Sequence, residues 1–257
     1  MIKIVFFDVD GTLLPFDSKK IPKSTKDALR ELRKRGVKTV ISTGRDLGEL
    51  KKLPVMSMNF DGFVTLNGQL CFDDDYHIIA STPIDGDEMK ILKDLFNAKK
   101  IPFVLIDSNK RYINYVNDLV VKTQEQTNGT IPEVGKYKGE KIYQICAFVS
   151  RKERKLLEEM LEDCKITSWN KNGIDIIARG GGKDKGIEQF LEEEGIAKDE
   201  AMAFGDGEND ISMLEYVGVG VAMGNASDQV KKVANYVTTD VDDDGIANAL
   251  RHYGLID

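Results

Sequence analysis

Close to its start the chain reads Ile4-Val5-Phe6-Phe7 and passes at once to Asp8-Val9-Asp10-Gly11. Four consecutive apolar residues without polar alternation mark a strand buried on both faces, not a surface strand with one wet side. Strands of that kind belong to parallel sheets covered by helices above and below, so this segment steers the chain toward an α/β layer fold. The acids that follow leave the strand at its carboxyl end, which in an open α/β sheet is where ligands bind.

The theme recurs downstream. Ser24 or Thr25 can cap a helix whose apolar face is Ala28, Leu29 and Leu32 and which stops at Gly36; residues 37–41 then read as a second strand, completing a βαβ unit. Residues 63–66 and 69–72 flank Asn67-Gly68, a pair that predicts a two-residue type I′ hairpin because both positions need positive φ. From about residue 83 the rhythm changes to a helix at 87–99, strands at 103–106, 111–115 and 143–149, and a helix at 152–162 with Leu156, Leu157, Met160 and Leu161 inward. A hairpin of residues 166–169 and 174–178 closes this part. After Gly180-Gly181-Gly182, a plausible hinge, the first rhythm returns with a helix carrying Ile187, Phe190 and Leu191, strands at 201–204 and 218–222, and helices at 211–216 and 246–253. The expected architecture is a doubly wound, mostly parallel, Rossmann-like α/β core built from residues 1–82 and 183–257, with an inserted α+β domain at 83–182.

Composition narrows the partners. A length of 257 residues suits two domains, each able to bury its own core. Thirty-six basic against 43 acidic residues give a net charge of −7, which repels a phosphodiester backbone and argues against nucleic acid. No stretch reaches the roughly 18 continuous apolar residues of a membrane span, and residues 2–7 are too short for a signal-peptide core. Cys71, Cys146 and Cys164 are odd in number and widely scattered, so neither a disulfide framework nor a zinc site is expected, and the chain reads as cytoplasmic.

Four short groups carry chemistry, each following an expected strand or glycine run. In Asp8-Val9-Asp10-Gly11-Thr12, two carboxylates one residue apart can serve as nucleophile and proton carrier, while Gly11 lets the backbone turn sharply past a ligand. Ser42-Thr43-Gly44-Arg45 offers a hydroxyl and free backbone N–H groups to phosphate oxygens, although the same residues could simply cap the helix near Leu47. Gly182-Lys183-Asp184-Lys185-Gly186 brings an ammonium to the start of a helix. Gly205-Asp206-Gly207-Glu208-Asn209-Asp210 gathers hard oxygen ligands that suit Mg²⁺, without the ligand spacing of a calcium-binding EF-hand. Each group alone is weak. Two acids, a hydroxyl, a lysine and a second acidic cluster, in that order, are specific.

These motifs resemble those of the haloacid dehalogenase superfamily, in particular its Cof-like sugar phosphatases with a large C2-type (IIB) cap. DVDGTLL is similar to the first motif, ISTGR to the second, GGGKDKG to the third and FGDGENDISML to the fourth; VGVGVAMGNA and DDDGIANAL resemble further stretches typical of that subfamily. The resemblance spans essentially the whole chain. It implies a Mg²⁺-dependent phosphomonoesterase acting on small phosphorylated metabolites through an aspartyl phosphate. Asp8 would be the nucleophile and Asp10 the general acid/base; Thr43, Gly44, Lys183 and Asn209 would bind phosphate; Asp8, Asp10 and Asp206 would surround the metal, with Asp210 in support. The third motif leaves two lysines. Lys183 is favoured because it leaves the glycine run directly, whereas Lys185 should already lie in the first helical turn. The inserted domain would act as a cap that selects the leaving group. Rival readings are a phosphotransferase or phosphomutase on the same core, a receiver-like signalling domain, and a sugar-phosphate-binding protein without catalysis; the last would predict loss of Asp8 or Asp10, and both are present.

Overall fold

Strand β1 (Ile4–Phe7) is fully buried, and its two faces pack differently. Phe6 meets Phe190 edge to face on one side, ring centroids 5.9 Å apart, while Phe7 stacks on Phe204 on the other, centroids 5.2 Å apart. This is why four apolar residues in a row are needed there. The computed structural model describes residues 1–16, 18, 20–127 and 129–257.

The chain forms two compact units, Met1–Ser81 with Gly182–Asp257, and Thr82–Gly181. In the first, β1 leads to α1 (Lys23–Lys34), β2 (Lys38–Ser42), the single-turn α2 (Leu47–Leu50), β3 (Gly62–Thr65), β4 (Leu70–Asp73) and β5 (Ile78–Ser81). Helix α1 begins after Pro22 with no side-chain cap, so the expected Ser24 or Thr25 cap is not used; Thr25 is buried instead beside Ala28, Leu29 and Leu32. The proline fixes the entry backbone, and no side chain caps the helix start.

The second unit contains α3 (Gly86–Ala98), β6 (Phe103–Ile106), β7 (Arg111–Ile113), α4 (Asp118–Gln126), β8 (Gln144–Phe148), α5 (Arg151–Met160), β9 (Cys164–Asn170) and β10 (Gly173–Ala178). Among the described residues its sheet has five strands in the order β7-β6-β8-β10-β9, all neighbours antiparallel, and its core gathers Leu92, Phe96, Phe103, Leu105, Ile145 and Leu157. Of the four residues expected inward on α5, Leu157 and Leu161 are buried, but Leu156 and Met160 are 49% and 39% exposed. Residues four apart share one row of a helix, and only the 157/161 row faces the core; 156 and 160 form the adjacent row, about 100° away.

The first unit then resumes with α6 (Lys183–Glu194), β11 (Ala201–Gly205), α7 (Ile211–Tyr216), β12 (Val219–Ala222), α8 (Asp228–Val233), β13 (Tyr236–Val237) and α9 (Gly245–His252). Among the described residues its sheet has eight strands in the order β13-β12-β11-β1-β2-β3-β4-β5, parallel from β13 to β3 and antiparallel at β4 and β5. The winding order reverses at β1, between β2 on one side and β11 on the other. A reversal of this kind opens a crevice at the carboxyl ends of the central strands. Among the described residues no helix is long and apolar enough to cross a membrane.

The Asn67-Gly68 turn differs from the sequence expectation. Thr65 pairs with Leu70, so residues 66–69 all lie in the loop, and Leu66, Asn67 and Gly68 take φ of 52°, 53° and 90° in succession. The positive φ at Asn67 and Gly68 was legible; the widening of the turn by Leu66 and Gln69 was not.

Candidate active site

Parallel pairing puts Phe7 level with Ile41 of β2 and Phe204 of β11, so Asp8, Ser42 and Gly205 leave the sheet side by side. Asp8 N–H donates to the Phe204 carbonyl (3.0 Å), and the residue is buried, 6% exposed. The loop then turns back through Gly11 N–H donating to the Leu14 carbonyl (2.8 Å). Gly11 has φ 81°, and a Cβ there would collide with the Asp206 carboxylate, so both conformation and proximity require glycine.

Lys183 opens α6 rather than preceding it, directly after Gly182 with φ 141°. The helix start packs closely on the β3–β4 turn: a Cβ on Gly186 would lie 2.6 Å from Gly68 Cα. Lys183 is thereby carried into the interior, 1% exposed, where Nζ donates to Asp8 Oδ1 (2.6 Å), Asp210 Oδ1 (2.6 Å) and the Ser42 carbonyl (2.9 Å). Its three donors are all used. Lys185 instead pairs with Glu188 at the surface. Burial alone would lower the Lys183 pKa, but Asp210 and Asp8 outweigh it and raise it, so the ammonium is held charged.

Asp210 organises the loop after β11. Its Oδ2 accepts from the backbone N–H groups of Asp206 and Gly207, each at 2.9 Å, and Oδ1 accepts from Lys183. Asp206 is left facing Asp8. Burial and the neighbouring Asp210 push the Asp206 carboxyl up to about 7, and burial, followed by Asp210, raises that of Asp8, with Lys183 opposing. One ammonium does not neutralise this set.

Among the described residues, Asp8, Asp206 and Asp210 form a group in which one carboxylate oxygen from each lies within 4.8 Å of the other two. All donors are hard oxygens, and the cluster is short of positive charge, which fits Mg²⁺. Asp210 accepts three hydrogen bonds, from Lys183 and two backbone N–H groups, which leaves Asp8 and Asp206 the less heavily bonded members of that group. The Asp10 carboxylate stands outside it, gripped by Arg45 through Nε to Oδ2 (2.6 Å) and Nη2 to Oδ1 (2.9 Å). The Arg45 pKa is raised: burial opposes the rise, and the hydrogen bond and charge of Asp10 drive it.

Thr43 is buried; its N–H donates to the Val64 carbonyl (2.8 Å), and its hydroxyl accepts from Arg45 N–H (3.2 Å). The cap of α2 is Asp46, which accepts from Glu49 N–H (2.8 Å), so the Ser42-Thr43-Gly44 turn is not spent on capping. Asn67 joins this turn to the fourth motif: its N–H donates to the Thr43 carbonyl (3.0 Å), and its Oδ1 accepts from Asn209 Nδ2 (3.0 Å). The crevice therefore collects Asp8, Asp10, Thr43, Gly44, Lys183, Asp206 and Asn209, and adds Arg45, Asn67, Thr12 and Asn225, which had no assigned role. Asn67 was read only as a turn former, and nothing local in the sequence shows that a turn residue will reach across two loops.

Comparison with known proteins identifies the family. Residues 5–250 match the model of the haloacid dehalogenase-like hydrolase family. The 5-amino-6-(5-phospho-D-ribitylamino)uracil phosphatase YcsE of Bacillus subtilis (strain 168) is 31% identical over 255 residues, covering 99% of this chain and 96% of that protein. Among solved structures, the subclass IIB sugar phosphatase BT4131 superposes with a TM-score of 0.88 at 33% identity, covering 99% of this chain and all of that one. BT1666 from Bacteroides thetaiotaomicron, a phosphatase of the same superfamily, also gives 0.88, at 32% identity and with 100% and 96% coverage. The chain belongs to the haloacid dehalogenase-like hydrolase family and is an enzyme of its phosphatase type.

Proposed function

We propose that the protein is a Mg²⁺-dependent phosphomonoesterase of small phosphorylated metabolites, sugar phosphates foremost, working through a phosphorylated Asp8. The observation that carries this reading is the buried Asp8 carboxylate, fixed by Lys183 at 2.6 Å beside Asp206. Lys183 orients Asp8 and holds one of its oxygens, leaving the other to attack phosphorus. As the Asp8–phosphorus bond forms and the phosphorus–alkoxide bond breaks, Asp10 gives its proton to the departing oxygen; it later takes a proton from the water that cleaves the aspartyl phosphate. The sum is phosphate ester plus water to alcohol plus phosphate. Thr43, Gly44 and Asn209 receive the phosphate oxygens, and Asn67 keeps those groups together. Asp8 and Asp206 would hold Mg²⁺, which when bound offsets the negative charge gathered around phosphorus.

Arg45 has a distinct part. Its fork fixes the direction of the Asp10 carboxylate, through Nε to Oδ2 and Nη2 to Oδ1, so that the acid and base steps use one fixed position. The unit Thr82–Gly181 serves in this reading as the cap that chooses the alcohol, and the small phosphorylated substrates named for YcsE and for the sugar phosphatase support a metabolite rather than a macromolecule. A screen of phosphorylated metabolites with the purified protein and Mg²⁺, run beside Asp8→Asn, tests the proposal. Metal-dependent phosphate release that the variant lacks supports it, and release by the variant at the wild-type rate refutes it.

A further inference from the structure

The stretches VGVGVAMGNA and DDDGIANAL lie outside the four catalytic motifs, yet one side chain from the first ties it, and the residue just before the second, to the crevice. Asn225 Nδ2 donates to the Gly11 carbonyl (2.9 Å) and to Asp206 Oδ2 (3.2 Å), while its Oδ1 accepts from Val241 N–H (3.0 Å). A single amide thus joins the loops that follow β1, β11 and β13. We infer that Asn225 is a positioning residue of the metal site, holding the Asp206 carboxylate against the nucleophile loop. This rests on the reading of Asp206 as a metal ligand.

The geometry around Asp206 explains the need. Thr12 Oγ donates to Asp206 Oδ1 (3.2 Å), so the two oxygens are restrained by Thr12 and Asn225 respectively, and rotating the carboxylate breaks one bond or the other. Restraint matters because Asp206 is surrounded by like charge and would otherwise swing away from Asp8 and Asp210 whenever no cation is present. Outer partners of this kind set ligand orientation at metal sites.

The chemistry also selects asparagine. Two acceptors, Gly11 O and Asp206 Oδ2, must meet an NH₂ group, and one donor, Val241 N–H, must meet an oxygen on the same short side chain. Aspartate would face both acceptors with another acceptor, and serine has one hydroxyl for three partners. Gly224 completes the turn: its N–H donates to the Thr239 carbonyl (3.0 Å), and a Cβ there would lie 2.6 Å from Asp240 N. Behind it, Asn248 of α9 donates to Thr239 Oγ (2.8 Å). The C-terminal segment therefore supports the metal ligand through Val241 and Thr239.

The test is direct Mn²⁺ binding, read from the electron paramagnetic resonance of free Mn²⁺, on the full-length protein as wild type, Asn225→Leu, Asn225→Ser and Asp206→Ala. Both Asn225 variants are expected to weaken Mn²⁺ binding about 10- to 100-fold, and the serine variant carries the test if the leucine variant does not fold. A purely structural role would lower the melting temperature and leave the Mn²⁺ affinity within twofold of wild type, which would overturn the inference. Asp206→Ala separates the two levels: loss of tight Mn²⁺ binding there with wild-type binding in the Asn225 variants defeats the inference alone, whereas wild-type binding by Asp206→Ala defeats the assignment of Asp206 itself.

Discussion

Replacing Lys183 by alanine should destabilise the metal-free protein far more than any surface lysine. Lys183 is buried between Asp8 and Asp210 at 2.6 Å from each, so its removal leaves two carboxylates facing one another without a counter-charge. At an effective dielectric of about 20, each contact at that distance is worth roughly 6 kcal/mol of Coulomb attraction. Desolvation of the buried ions cancels much of this, and breaking such a pair costs about 3–5 kcal/mol net. The corresponding fall in melting temperature is about 6–20 °C for a unit of this size. The measurement is thermal and urea unfolding in a chelator at neutral pH, with Lys185→Ala as the control, expected within about 0.5 kcal/mol of wild type. Because the Lys183 pKa is raised in the fold, its stabilisation is full below the ordinary lysine value of 10.5 and is lost as pH rises through the higher folded value. The penalty in Lys183→Ala should also shrink at low pH, where Asp8 takes up a proton. Adding Asp8→Asn should recover part of the loss, since a neutral amide is no longer a buried unpaired charge. A Lys183→Ala variant within about 1 kcal/mol of wild type, or no recovery in the double variant, would refute the reasoning.

Three further outcomes follow from the site. Asp10→Asn should slow turnover by about 10²- to 10⁴-fold on alkyl phosphates and much less on aryl phosphates, whose leaving groups need no proton; equal losses on both would remove Asp10 as the acid. Arg45→Met frees the Asp10 carboxylate from its fork and should reduce kcat by at least about tenfold while changing KM little, and an unchanged kcat would show the ion pair to be incidental. Burial pushes the Cys71 thiol up to about 12, so it should resist alkylation at pH 8 in the folded protein and react on unfolding; rapid native-state labelling at Cys71 would contradict its packing.

How much of this was legible beforehand depended on whether the signal was local. The four apolar residues before Asp8, and the apolar strand before Asp206, identify parallel strands and their carboxyl ends from composition alone, so the acids could be placed. Lys183 could be preferred over Lys185, although the supposed reason was incomplete: both lie in α6, and the decisive fact is the close packing of Gly186 and Gly182 on the β3–β4 turn. Arg45 was visible as part of a motif, but its partner Asp10 is 35 residues away in sequence and no periodicity encodes the pairing. Asn67 and Asn225 escaped for the same reason, each acting across loops that only the strand order brings together. Helix α4 was missed because Val120 is its buried apolar residue while Val121 is exposed, which leaves no apolar stripe to detect.

The most direct test of the central claim is to trap the phosphorylated enzyme. The protein, mixed with Mg²⁺ and a turned-over substrate, is quenched in acid within the steady state, reduced with borohydride and mapped by peptide mass spectrometry, which converts an aspartyl phosphate to homoserine at the position that carried it. The account predicts homoserine at residue 8, none at residue 10, and none when substrate is omitted. Turnover with no modification at Asp8, together with inversion of configuration at a chiral phosphoryl group where two successive displacements would give retention, would contradict it.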